Sequence, residues 1–360
     1  MKWSDNYKYT TDLSDVYLSK LTEREKNTQR ITIPADKLRF VSTTKALEKY
    51  KTDKALAEKI GVMEDIVTET NGKTGLIVTV SGTPYLLGDS SWISISGRIS
   101  IYGNGLWALE PIDKANLFNA RLLQLKDTPV MVIIVDDKVR AIMSGKYSVI
   151  PANMVVEKII EKAQERFAET MFSGGMFTHE ITVTTIAFPE VAKKIGETYG
   201  IDGLVPGIKI ITSDTGYAGI KIVGFWMANK EKGFQQAGSE IYLRHENTNK
   251  LDKVLEEMPN LFLKYQNMAA KLAELLNVEM KYPIQAIKNA CEKLKLGKKH
   301  AKFIAENLPT GDISAYDICM EIFTLPHRLN LSDMSRLEME EVVARAINLN
   351  YKDLDMKTNP

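Results

Sequence analysis

The order of apolar and polar positions along the chain predicts a mixed fold whose two ends differ in character. Residues 1–34 are polar, with Trp3, Tyr7, Tyr9, Tyr17 and Leu21 scattered through them and no sustained period. Such a segment is expected to be an extended arm that orders against a partner. Over residues 42–60, Ala46, Leu47, Tyr50, Ala55, Leu56 and Ile60 fall near one side, with Ser42 or Thr43 as cap and Gly61 as stop, which predicts a helix. Asn71-Gly72-Lys73 reads as a turn before an apolar strand over 76–80. Ile93, Ile95, Ile99 and Ile101 alternate with polar residues, predicting a second strand over 92–102. Pro111 and Asp113 open a helix through Leu125.

Residues 130–135 are continuously apolar, Asp136-Asp137 is a two-residue turn, and 138–144 returns, so a hairpin is expected. An amphipathic helix follows over 150–167. A strand over 179–188 leads to a helix over 189–199 that Gly200 ends. Residues 208–212 and 218–227 form a second hairpin, and 239–243 another strand. Ser173-Gly174-Gly175-Met176 reads as a flexible loop. After Lys250 the pattern is helical to about Asn350, with breaks at Pro259, Tyr282-Pro283, Pro309-Thr310-Gly311 and Pro326. The expected class is α+β: an arm over 1–34, a mixed sheet of hairpins with packed helices over 35–248, and a helical domain over 249–360. Strict strand–helix alternation is missing, which disfavours a doubly wound sheet.

Composition narrows this only a little. The 360 residues are 44% apolar and 26% charged, enough to bury a real core. The 47 basic and 46 acidic residues leave a net charge of +1, so any polyanion binding must come from a local patch. Cys291 and Cys319, the two cysteines, argue for a reducing compartment and against a disulfide scaffold. No apolar run approaches the roughly 20 residues that span a bilayer, and the first residues lack signal-peptide order. The expected location is the cytoplasm, with no membrane partner.

The most particular segment is Ser213-Asp214-Thr215-Gly216-Tyr217, a polar turn between two β-branched runs. Asn229 and Arg244-His245 follow it. Val139-Arg140-Ala141-Ile142-Met143-Ser144-Gly145-Lys146-Tyr147 precedes it, with a helix expected from Ala152. Together these resemble the phage/plasmid-like protein family, catalogued as domain-of-unknown-function family 932, over roughly residues 130 to 280. Gly145-Lys146 stands where that family has an acidic-basic pair, and Met227 where it often has cysteine. The resemblance implies mobile elements and a host bacterial cytoplasm more than any chemistry.

Ser213, Asp214, Tyr217, Asn229 and His245 are candidates for a ligand site. The turn amides could form an anion nest, or the Asp and Thr could simply bond their own backbone. Arg244 could clamp a phosphate or cap a sheet edge. His179-Glu180 lie on opposite faces of a strand and cannot chelate together. Four scattered histidines and two distant cysteines make a zinc site improbable, and neither a cofactor nor a metal is expected.

Residues 281–302 hold seven lysines against Glu292 alone. Lys295, Lys298, Lys299 and Lys302 surround Leu296-Gly297, where a helix start could meet phosphates. The alternative is a solvated helical face. Arg140, Lys146, Arg244, Arg121 and Lys138 are candidates to extend the basic surface, and Trp92, Tyr102 and Trp107 to stack bases, unless they are core.

Three functions fit. The first is single-stranded nucleic-acid binding or annealing in phage or plasmid replication and recombination, by a homo-oligomer. The second is an interaction protein acting against a host defence complex. The third is a nucleotide- or phosphate-processing enzyme, for which no acid–base pair or metal cluster is visible.

Overall fold

The computed structural model describes residues 5–43, 74–103, 105–136, 138–228, 233–245 and 251–357. Trp3, Asp137, Asn229, nearly all of the expected 42–60 helix and the expected turn at 71–73 lie outside them. The described residues are α+β, as the pattern of positions predicts.

The strands are β1 (Lys8–Thr11), β2 (Thr28–Pro34), β3 (Leu38–Ser42), β4 (Leu76–Val80), β5 (Thr83–Leu87), β6 (Pro129–Val135), β7 (Lys138–Ser144), β8 (Met171–Thr178), β9 (Thr182–Ala187), β10 (Val205–Thr212), β11 (Ile220–Met227) and β12 (Gly233–Leu243). They form two six-stranded sheets. The first has the order β2-β6-β7-β5-β4-β3 and the second β1-β8-β9-β10-β11-β12. The β5–β7 pair is parallel and the other pairs are antiparallel.

The helices are α1 (Ser14–Lys26), α2 (Trp92–Ile99), α3 (Gly105–Ala108), α4 (Pro111–Leu125), α5 (Ala152–Arg166), α6 (Pro189–Tyr199), α7 (Leu251–Leu276), α8 (Pro283–Lys293), α9 (Lys298–Ala305), α10 (Ala315–Arg328), α11 (Asp333–Val343) and α12 (Tyr351–Leu354). Helices α2 and α4 cover the first sheet, where Trp92, Ile95, Phe118 and Leu122 join Val78, Val132 and Ile134 in one apolar core. The second sheet is covered by α5, α6 and the C-terminal helices. Its core runs without interruption from Ile208, Ile222 and Trp226 into Leu261, Tyr265, Ile318 and Phe323. The boundary placed at residue 248 therefore divides the chain by element type but not by core.

The N-terminal segment is not an arm. β1 is the edge strand beside β8, and β2 is the edge strand beside β6, so residues 8–34 supply one edge to each sheet. α1 joins the two edges and buries Tyr17, Leu21 and Arg24, a helical i, i+4, i+7 stripe. Tyr7 and Tyr9 pack on Phe177 of the same chain. The partner that the sequence pattern calls for is thus, for Tyr7 and Tyr9, the second sheet of their own chain, which half-buries them.

Three further expectations change, each for a local reason. Residues 92–99 form a helix rather than a strand. Trp92, Ile95, Ser96 and Ile99 are buried while Ile93 is exposed, so the period is 3.6 and not 2. Residues 173–176 belong to β8 and not to a loop. A Cβ on Gly175 would lie 2.5 Å from the Tyr17 ring, so glycine there makes room for that side chain. Pro259 does not break α7, and Pro326 sits in the last turn of α10. Burial of Val254, Met258, Leu261 and Phe262 on the second sheet outweighs the missing N–H.

Candidate functional site

The polar turn between β10 and β11 is a clasp rather than a nest. Ser213 Oγ accepts the backbone N–H groups of Thr215 (3.2 Å) and Tyr217 (3.1 Å). Thr215 Oγ1 donates to the His179 carbonyl (3.0 Å). Two of the amides that could have met an anion are therefore taken by the turn's own hydroxyl. Gly216 has φ +84°, a conformation that favours glycine. Tyr217 donates to the Ser90 carbonyl (2.8 Å), which ties the second sheet to the turn after β5 of the first. Ser213, Asp214 and Thr215, expected to offer a ligand site, are buried.

Behind the clasp the structure brings Asp214, His245 and Tyr147 together. Tyr147 and His245 have ring centroids 5.4 Å apart, and the Tyr147 hydroxyl lies 3.4 Å from the Ser213 carbonyl. Arg24 and Arg30 face the same carboxylate, and Glu25 holds Arg30 through paired bonds of 2.6 and 2.7 Å. The Arg24, Glu25 and Arg30 side chains were missed because their segment was read as an arm. The Tyr17–Leu21–Arg24 spacing was the signal that marks it as a packed helix.

Burial pushes the Asp214 carboxyl above its ordinary value of 3.8, opposed by Arg24 and Arg30. The neutral acid then contributes stability that is complete below 3.8 and is lost as pH rises through the raised folded value. His245 runs the other way. Burial lowers it below 6.5, so its contribution is present above 6.5 and is lost as pH falls through the lowered folded value. Urea unfolding of Asp214→Asn should show the variant gaining on the parent as pH rises from about 4 to about 7. A difference independent of pH would show that Asp214 ionisation is not coupled to folding.

The remaining candidates scatter. Arg140 is 1% exposed and paired with Asp5 at 2.5 Å, and Asp5 also holds Lys138 at 3.1 Å. Arg140 and Lys138 thus belong to the interior and not to a basic surface. Arg121 donates to the Ile99 carbonyl (2.8 Å). Lys146 is exposed just past the end of β7, and exposed Arg244 lines a cavity with Lys253 and Glu257. Trp92 is core, whereas Trp107 and Tyr102 keep exposed faces.

The lysine run forms a corner. α8 ends in a left-handed residue, Lys295 with φ +57°, and the Leu296 N–H reaches back to the Cys291 carbonyl (2.7 Å). This is the Schellman arrangement that stops a helix and turns the chain. Gly297 is extended and caps α9, which begins with Lys298-Lys299. All seven lysines are exposed. Among the described residues only Lys302 has an ion-pair partner, Glu306 at 3.7 Å. Asp355, which accepts the Lys281 and Tyr282 amides, adds one acid the local sequence does not show. Between α8 and α9 lies a cavity of about 870 Å³ with Ile284, Leu296, Ala301 and Ala305 on its floor and Lys288, Lys298 and Lys302 at its rim.

A buried charged cluster went unseen in the sequence. Lys209 of β10 donates to Glu340 of α11 at 2.6 Å, and Gln235 donates to the same oxygen at 3.2 Å. His327 Nε2 lies 3.4 Å from the other oxygen and 2.8 Å from the Gly233 carbonyl. Residues 131 positions apart meet here, and a lone Lys or Glu carries no mark of its partner.

Comparison with family models, with curated proteins and with solved structures finds no match. Among the described residues no three His, Cys, Asp or Glu side chains are placed to hold a metal ion, and no helix is long and apolar enough to cross a membrane.

Proposed function

We propose that the chain binds single-stranded nucleic acid at the α8–α9 corner, as a phage- or plasmid-encoded protein of replication or recombination. The observation that carries this reading is the set of seven exposed lysines, one of them ion-paired among the described residues. Lys298 and Lys299 stand at the N-terminus of α9, where the helix dipole is positive. Cations at that end are unfavourable alone and favourable when an anion sits between them and the free amides. Lysine contacts phosphate rather than base edges, so sequence preference should be weak.

The test is retention of a labelled single-stranded oligonucleotide over a range of salt. Log K should fall with log salt by about 0.7 per phosphate contacted, and replacing Lys295, Lys298, Lys299 and Lys302 with Gln should reduce the slope by up to about three. Absence of binding at low salt would overturn the reading. A second reading, an acidic protein partner, is favoured by the apolar floor of the same cavity. The enzyme reading has little support, because Asp214 and His245 are buried and line none of the cavities described here.

A further inference from the structure

The two sheets and the C-terminal helices meet at a cleft remote in chemistry from the lysine corner. One wall carries Trp92, Ile93 and Trp107, and the other carries Glu180, Tyr217 and Asp333. The cavity measures about 800 Å³, the size of a small-molecule site. Among the described residues Lys, Arg and His are absent from its lining, while Asp89, Glu180 and Asp333 contribute carboxylates from three separate segments.

The aromatic wall is unusual for a surface. Trp107 packs on Trp92 in a tilted pair with ring centroids 4.0 Å apart and remains 39% exposed, and Ile93 in the same lining is 60% exposed. An apolar patch bordered by carboxylates marks a binding surface more often than bare solvent contact. The same indole pair already serves a cation, since Lys114 Nζ lies 5.8 Å from the Trp92 centroid.

The carboxylates differ in what holds them. Asp333 is bound by Lys8 at 2.7 Å. Glu180 stands within hydrogen-bonding reach of the Tyr217 hydroxyl, which also donates to the Ser90 carbonyl (2.8 Å). No basic side chain among the described residues pairs with Glu180. Among the described residues these acids form no group of three placed to hold a metal ion. A cation with an apolar stem, able to touch a carboxylate at one end and an indole along its length, matches that lining.

We propose that this cleft binds a small organic cation of the guanidinium or primary-amine class. Its charged end is held by Glu180 with Asp333 nearby, and its stem lies on the Trp107 ring. Charge-assisted N–H···O bonds would fix the head. A cleft lined by one sign of charge concentrates such a ligand, and a desolvated cation over an indole adds to its binding.

Titration of the full chain with agmatine and with spermidine, read by tryptophan fluorescence, tests this. At matched ionic strength a saturable change is expected with at least one of them and none with neutral 1,4-butanediol. Glu180→Gln should weaken binding about tenfold or more, the loss of one charged hydrogen bond. Trp107→Leu should remove most of the fluorescence change. If Trp107→Leu fails to fold, calorimetric titration of Glu180→Gln decides alone. No saturable response to either cation, an equal response to the diol, or an undiminished affinity in Glu180→Gln would each overturn the proposal. Replacing the four lysines of the α8–α9 corner should leave this binding unchanged, so the two readings stand or fall separately.

Discussion

Glu340→Ala should lower the stability of the fold by about 3–5 kcal/mol, the cost of leaving a buried charge without its partner. Glu340 is 1% exposed and Lys209 5% exposed, so the pair is largely shielded from water although both line a cavity of about 500 Å³. The Lys209 ammonium would keep only its position over the Phe225 ring, 4.0 Å from the centroid. Gln235 and His327 would lose a contact as well. The pair ties α11 to β10, so the loss should also loosen the C-terminal helices from the second sheet. Urea unfolding of Glu340→Ala, of Lys209→Met and of the pair Lys209→Met with Glu340→Leu would check this. The double variant should recover much of the loss, because two apolar side chains of similar volume replace a desolvated ion pair. If Glu340→Ala costs less than about 1 kcal/mol, Lys209 is wetter than its burial indicates.

Gly207→Ala should cost about 3 kcal/mol, at the upper end of what overpacking does. Gly207 lies on β10, opposite Ala187 of β9 and Phe225 of β11. A Cβ there would press on the Ile186 carbonyl oxygen and lie 3.0 Å from Ala187 Cα. Both are backbone atoms of a central strand, which has no rotamer to move aside. Tyr265 also donates to the Gly207 carbonyl (2.6 Å), which pins β10 against α7. Gly97→Ala is the matched control. It sits in α2 with nothing within 4 Å of the new atom, and should be neutral or stabilising by about 0.5–1 kcal/mol. Thermal or urea unfolding compares the two, and an unaffected Gly207→Ala would show that β9 and β10 lie further apart than described.

The site was less legible than the fold, and particular residues show why. The hairpin turn at Ser213–Tyr217 was found from its composition alone, and Gly216 takes the positive φ such a turn needs. Its role was not visible, because the partner of Tyr217 is the Ser90 carbonyl, 127 positions away. Arg140 looked like a member of a basic surface until Asp5 was seen to hold it in the interior. The lysine corner was legible because its charges are neighbours in sequence and are not buried on folding. Trp107 was weighed as core or stacking surface, and only its distance to Trp92 and its open face bring the cleft into view.

Local pattern by itself determined the elements whose signal lies within one segment. The β6–β7 and β10–β11 hairpins, the helix capped by Gly200, the lysine-bearing turn at Leu296-Gly297 and the α+β class were all readable there. Periodicity reports which face of a segment is apolar, and a turn's chemistry reports where the chain reverses. Neither reports what the face packs against. Tertiary structure alone decided that residues 8–34 edge both sheets, that one core crosses residue 248, and that Pro259 stays within a helix. The same holds for Glu340 beneath Lys209. Each is a contact between distant segments, and its free energy is set by burial and pairing that no single segment encodes.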